Sequence, residues 1–371
     1  MIENLINDIN LIKVFFFLLL FFVFGFSYLK VSGGVISISK NVNFLFLLFV
    51  LILLHSLIFS FNRSLSVSES LYALLVLMSL FLFVKNFGCL KVLKYYEYLI
   101  LIVAILLIVS SNAIIFLFNS PLFYADGNFH GVLQNSNTLA LYLSVFISPY
   151  VFYSLWYKAK SQFEFWVLLF LSLDVFFIIV LTKSRTGIVI FLLSGLILYF
   201  SKYKLGKKKL FLAIVCLISA CILGLSFQTN IQEIIYKNNN TLNMTATRDV
   251  LWKARLDAID EKPYEGWGYA VNEHAHIDKY HIYNPKEKGN TVLAIIEEFG
   301  FLFGSFLLVC FAYLFYGSYQ KLKNTRYKWM GVTVILAIAH SMLETWVLNF
   351  YSFLAMLFWL IVIVSYEWDL K

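Results

Sequence analysis

Long apolar runs separated by short polar breaks fill most of this chain. Apolar windows lie near residues 11–29, 42–62, 69–85, 97–118, 138–157, 164–182, 187–201, 210–227, 292–316, 330–348 and 351–366. The runs are about 17 to 25 residues long and do not alternate with period two, so they predict membrane-spanning helices rather than barrel strands. The expected fold is all-α and polytopic, with about eleven spans. One region breaks the pattern. Residues 228–291 are polar, which divides the chain into spans one to eight (1–227), a loop domain (228–291) and spans nine to eleven (292–371). Within the loop, TRDVLWKARLDAID carries apolar residues at Val250, Leu251, Ala254, Leu256 and Ile259, the spacing of an amphipathic helix with Thr247 as its N-cap. The helix should stop before KPYEGWGY, a Pro/Gly turn cluster. Such a helix could lie on the membrane surface like a lid.

Composition agrees with this reading. Of 371 residues, 61% are hydrophobic and 13% charged, and the mean hydropathy is +0.81. That excludes an ordinary soluble domain. The first run follows the acidic MIENLINDIN and no small-residue cleavage site follows it, so it reads as a span and not a cleaved signal. Lys and Arg give the orientation. If the SKYKLGKKKL loop (201–210) is cytoplasmic, alternation also puts Lys85, Lys91, Lys94, Lys158, Lys160, Lys321, Lys323, Arg326 and Lys328 inside, and leaves Lys13, Arg63, Lys183 and Arg185 on the short outer segments. The N-terminus is then outside, the C-terminus cytoplasmic and the 228–291 loop extracytoplasmic. The net charge of +8 follows from topology and an anionic leaflet, with no nucleic acid required. Cys216, Cys221 and Cys310 fall in spans and Cys89 in a cytoplasmic loop, which is no disulfide or metal framework.

The polar chemistry collects on the outer side. LTKSRTG sets Lys183 and Arg185 between two spans, and NSPLFYADGNFHGVLQNSNT (119–138) offers many hydrogen-bonding side chains, including His130, without Lys or Arg. Arg248, Arg255, His274, His276 and His281 lie in the long loop. His340 and Glu344 are four apart in the outer half of span ten, hence on one helical face, and ionisable residues inside spans mark functional pockets by default. Each has a plainer reading. Lys183 and Arg185 could be interfacial cations, and His340 with Glu344 a mutually satisfied buried pair. Loop histidines are ordinarily solvated, Glu297 and Glu298 could be interfacial, and Asp174 and His55 read as packing or hydrogen-bonding residues. No metal-ligand spacing, P-loop or G-x-S-x-G elbow is present.

Four segments in order resemble the superfamily of bacterial O-antigen polymerases and O-antigen ligases (Wzy and WaaL types). They are GVLQNSNTLALYL (131–143), SRTG (184–187), TRDVLWKARLDAIDEKPYEGWGY (247–269) and NTVLAIIEEFGFLFG (290–304). The resemblance implies a metal-independent glycosyltransferase of the bacterial cytoplasmic membrane that needs no cofactor. Its donor and acceptor would be undecaprenyl-diphosphate-linked oligosaccharides, and a chain-length regulator protein could be a partner. It implies catalytic roles for Arg185 and Arg248, which would hold the departing diphosphate, and substrate contacts from Lys183, Asn135, Asn137, Arg255, His276, Asn290 and Glu298. Arginine suits the diphosphate because it is always protonated and pairs bidentately with phosphate oxygens. A proton acceptor for the acceptor hydroxyl is also required, and His281, His276 or the His340–Glu344 pair could serve. The family's ligases usually carry a histidine just before the Asn of the last segment. Here that position is Gly289, which favours a polymerase of O-antigen, capsule or exopolysaccharide.

Two alternatives stay open at this point. One is a ligase moving finished glycan to lipid A core, protein or wall polymer; the other is a flippase or transporter of lipid-linked oligosaccharides. A transporter should carry charge through the membrane depth or show repeated halves, and neither is evident. The topology is directly testable. Reporter fusions at residues 240 and 280 are expected to read as external, and fusions at 206 and 324 as cytoplasmic; a cytoplasmic signal at 240 would invert the arrangement.

Overall fold

The computed structural model describes residues 2–32, 38–118, 121–125, 127–133, 135–203, 246–272 and 289–368. Its helices are α1 (Ile2–Ser32), α2 (Lys40–Phe59), α3 (Arg63–Phe87), α4 (Cys89–Ala113, continued as a π-helix over Ile114–Phe118), α5 (Ser136–Lys158), α6 (Gln162–Leu181), α7 (Arg185–Tyr203), α8 (Ala246–Glu261), α9 (Thr291–Leu322), α10 (Lys328–Ser341) and α11 (Phe353–Glu367). Among the described residues, eight helices are long and apolar enough to cross a membrane, and α10 and α11 are shorter apolar helices. The protein is an all-α, multi-pass membrane protein. Its extended structure among the described residues is one two-residue antiparallel pair, β1 (Tyr124–Ala125) with β2 (Asn128–Phe129). The span expected at 210–227 lies outside the described residues.

The chain divides into two compact units: residues 1–94, 247–321 and 341–371 form the first, and residues 95–246 and 322–340 the second. The described part of the long polar loop thus belongs almost wholly to the first unit. In that unit the core is aromatic. Phe49 of α2 meets Phe311 of α9, Trp359 of α11 and Phe350, with ring centroids 5.4–6.2 Å apart. Glu367 at the end of α11 accepts the Ser39 amide at 2.9 Å and pairs with Lys85 of α3, so one buried carboxylate closes two helix ends. In the second unit, Trp329 of α10 packs on Tyr96 and Tyr150, and Phe191 of α7 packs on Phe152 and Phe176. Asn112 of α4 donates to the Asp174 carboxylate of α6 at 2.8 Å, which is the hydrogen-bonding role expected for Asp174.

Two expectations about helices are corrected. Span ten does not run to residue 348: α10 ends at Ser341, and Glu344 sits in a bend beyond it, so His340 and Glu344 are not one turn apart on a helical face. The cause lies in the first unit, where fixed side-chain donors hold the following backbone out of a helix. Trp359 Nε1 donates to the Val347 carbonyl at 2.9 Å and the Tyr269 hydroxyl to the Leu348 carbonyl at 2.7 Å. Trp346, Val347, Leu348 and Phe350 are buried there, so apolarity that read as a span is the core of a turn. Burial first, then the carboxylates of Glu298 and Glu69, push the Tyr269 phenol well up from its ordinary value, which keeps it a donor. The second correction concerns α8. It starts at Ala246, ahead of Thr247, and its buried stripe is Ala254, Arg255, Ala258 and Ile259, whereas Val250 and Leu256 are exposed. Its packing face therefore contains an arginine.

The glycines of the 263–268 turn and of α9 explain each other. At Gly300 the backbone turns to φ 72°, ψ 172°, and the α9 ladder is broken. A break among apolar helices leaves amides and carbonyls that water cannot reach, and other protein groups must satisfy them. Here the turn does so. Trp267 N donates to Glu297 O at 2.9 Å, Gly268 N to Glu298 O at 2.8 Å, and Phe301 N to Pro263 O at 2.7 Å. The approach is so close that a Cβ at Gly300 would stand 2.1 Å from Tyr264 O, and one at Gly266 2.5 Å from Glu298 O. Gly300→Ala is expected to destabilise the purified protein by at least ~2 kcal/mol, from the left-handed φ and the clash together. Gly25→Ala, whose added carbon would meet Leu82 at 3.8 Å, should leave the thermal unfolding midpoint nearly unchanged.

Candidate functional site

In the second unit, the SRTG segment is a tight junction between α6 and α7. Thr182 ends α6 with its amide on Ile178 O and Ile179 O, and Lys183 then adopts φ 53°, the left-handed position after a helix that glycine usually fills. Ser184 caps α7, its hydroxyl accepting the Gly187 amide at 3.3 Å and its carbonyl the Ile188 amide at 3.0 Å. Gly187 has no Cβ because one would stand 2.9 Å from Ala140 Cβ of α5. Each residue of the motif thus has a local reason except Arg185, the first residue of α7 and partly exposed. Its guanidinium stands at a helix N-terminus, where the macrodipole and first-turn amides already favour an anion.

The 119–138 loop comes to this junction. The Nζ of Lys183 lies 3.8 Å from where a Cβ at Gly127 would be, at the tip of the β1–β2 hairpin. His130 closes the next turn through Nδ1 and the Leu133 carbonyl at 2.5 Å. Asn135 starts α5, its Oδ1 accepting the Asn137 amide at 2.8 Å while the side chain stays exposed. Lys183, Arg185 and the hairpin therefore share one end of this unit, and Asn135 with Asn137 begins the helix that packs on Gly187.

In the first unit, Arg255 of α8 and Glu297 of α9 form an ion pair at 2.8 Å with both side chains at 0% exposure. This guanidinium is held by a carboxylate and reaches no solvent. Glu297 and Glu298 are both buried, not interfacial. Asn290 is the N-cap of α9, with Oδ1 accepting the Val292 and Leu293 amides at 2.8 and 3.1 Å. Gly289 has φ 68°, and its carbonyl accepts Trp252 Nε1 from α8 at 3.3 Å. Arg248 lies in the first turn of α8. His340 is fully buried in the last turn of α10, in the second unit, whereas Glu344 is in the first. His274, His276 and His281 lie outside the described residues.

Sequence reasoning missed the Arg255–Glu297 pair. The signal was present, since Arg255 falls in register with Ala254, Ala258 and Ile259 on α8. Only a buried partner on another helix turns that register into a packing face.

These features define a polytopic helical membrane protein with a basic, anion-attracting helix start and an internally braced loop helix. Residues 166–302 match the family model described as O-antigen ligase (Wzy_C), a stretch that begins in α6 and ends just past the α9 break. The match makes this stretch similar to the O-antigen ligase family and supports the resemblance to O-antigen polymerases and ligases. No curated protein matches the chain. A structural role for the buried pair makes a measurable demand. Arg255→Ala and Glu297→Ala should each cost about 3–5 kcal/mol, because each strands a buried charge. The double replacement Arg255→Met with Glu297→Leu should cost much less than their sum in a double-mutant cycle of unfolding in detergent.

Proposed function

We propose that this protein is a polysaccharide polymerase that joins undecaprenyl-diphosphate-linked repeat units on the extracytoplasmic face of the bacterial cytoplasmic membrane. The observation that carries the reading is Arg185 beside Lys183 at the start of α7, inside the stretch that matches the O-antigen ligase family. The hydroxyl oxygen of the acceptor sugar attacks the anomeric carbon of the donor, the bond from that carbon to the diphosphate oxygen breaks, and the prenyl diphosphate leaves with its bonding pair. Negative charge grows on the diphosphate. Arg185, supported by Lys183 and the α7 amides, stabilises that charge, and Arg248 supplies a second guanidinium. The proton of the attacking hydroxyl goes to a base drawn from His281, His276, His340 or Glu344. The activated bond is already in the donor, so no nucleotide enters.

Arg255 acts in this scheme through Glu297, by fixing α8 and hence the backbone at Arg248. Asn135, Asn137, Asn290 and Glu298 would serve the sugars, with Asn290 offering only the groups its cap leaves over. The left-handed backbone at Gly289 supports polymerase over ligase, because a histidine there would have to take φ 68° with its Cβ about 3.4 Å from Leu251. Arg185→Lys keeps the charge but loses the planar fork, and one charge-assisted contact to a transition state is worth roughly 2–4 kcal/mol. Polymerisation of lipid-linked repeats should therefore fall about 30- to 1,000-fold at unchanged protein abundance. Full activity of Arg185→Lys together with Arg248→Lys would remove the clamp, and glycan appearing on a foreign acceptor in place of chain growth would make the enzyme a ligase.

A further inference from the structure

The first unit contains a cavity of about 450 Å³, open on one side. Its floor is a single stripe of α2, where Leu51, Leu54 and Ile58 recur at helical spacing, and its far wall is Leu302 and Phe303 just past the α9 break. From Leu51 to Phe59 the stripe rises about 12 Å. Leu54, Ile58 and Leu302 are exposed, Leu302 by 75%. Apolar surface of this kind on membrane-spanning helices is a place for a lipid chain.

The upper end of the groove is chemically different. Tyr264 and Glu265, from the turn that braces α9, form its rim, and the Glu265 side chain is exposed. Below them lies His55, 7% exposed, stacked on Phe303 at 5.0 Å and edge-on to Phe299 at 5.2 Å. Its Nδ1 is buried without a hydrogen-bond partner. Either nitrogen of a neutral imidazole can be the acceptor, so this one can take an N–H from a ligand. A buried acceptor without a donor is costly, about 1–3 kcal/mol, and calls for a ligand that donates.

The lining therefore reads as a long apolar slot with an acceptor and a carboxylate at one end, and no Lys or Arg lines it. That end repels phosphate and favours an ammonium with N–H bonds. We propose that the groove binds one amine-bearing phospholipid, with an acyl chain along the α2 stripe and its ammonium shared by the Glu265 carboxylate and His55 Nδ1. Lys262, whose Nζ sits 4.3 Å over the Trp267 ring, precedes Glu265 by three residues and would be the cation for the lipid phosphate. The site is built on the α9 brace, so an occupied groove would stiffen the hinge between the turn and the helix. The assignment does not rest on the polymerase reading.

The test uses the purified full-length protein in detergent, titrated with phosphatidylethanolamine, phosphatidylcholine or phosphatidylglycerol, with bound lipid counted by native mass spectrometry. Phosphatidylethanolamine should be retained about tenfold more strongly than phosphatidylcholine, which has no N–H, and than phosphatidylglycerol, which has no cation. Glu265→Gln and His55→Phe should each remove most of that preference, and Leu302→Trp, at an exposed position that tolerates bulk, should abolish retention of all three. Equal retention of the three lipids would overturn the proposal. So would preference for phosphatidylglycerol or for a prenyl diphosphate, or a phosphatidylethanolamine preference untouched by both Glu265→Gln and Leu302→Trp. Polymer synthesis is a separate readout, so loss of lipid selectivity with normal synthesis, or the reverse, tells the two readings apart.

Discussion

The break in α9 at Gly300 is the constraint from which the rest of the first unit follows. A helix interrupted between apolar neighbours must find partners for its stranded carbonyls, and the backbone of the 263–268 turn is that partner. Trp267 is the knot. Its amide serves Glu297, its carbonyl accepts the Phe61 amide at 3.0 Å, and its indole donates to Ala258 of α8 at 2.8 Å. One residue thus joins the α2–α3 connection, α8 and α9. Three glycines around it are required by space as much as by φ, since a Cβ at Gly268 would lie 2.1 Å from Ser60 Oγ.

Charge is used in two different ways. Arg255 and Glu297 are sealed together, and meeting each other at 2.8 Å offsets their desolvation. Such a pair fixes register between α8 and α9. At the start of α7 the guanidinium of Arg185 is only partly buried and stands near Lys183, whose backbone is left-handed. Two arginines that look alike in composition are therefore separated by burial.

The polar residues inside helices follow the same division. Asp174 is answered by Asn112, whereas His55, in the wall of an apolar groove, keeps one buried nitrogen without a partner. The first is a tether between helices. The second is a gap in the hydrogen-bond inventory, and a gap beside a lipid-sized slot is chemically specific.

The sequence alone determined the class of protein, because run length and absence of period-two alternation leave few choices in a bilayer. It also determined most helix positions, the stop of α8 before the Pro/Gly cluster, and the four motif segments in order. What it could not determine was who faces whom. The helix through His340 was read to 348 because apolarity is the same signal for a span and for a buried turn. Only the Trp359 and Tyr269 donors decide that the backbone leaves the helix at Ser341. The carboxylate partner of Arg255 was not legible either, because it stands on another helix 42 residues away. Local rules act through neighbours three or four residues apart and are legible in a single chain, whereas burial and pairing are made by residues tens to hundreds of positions away and exist only once the chain has folded.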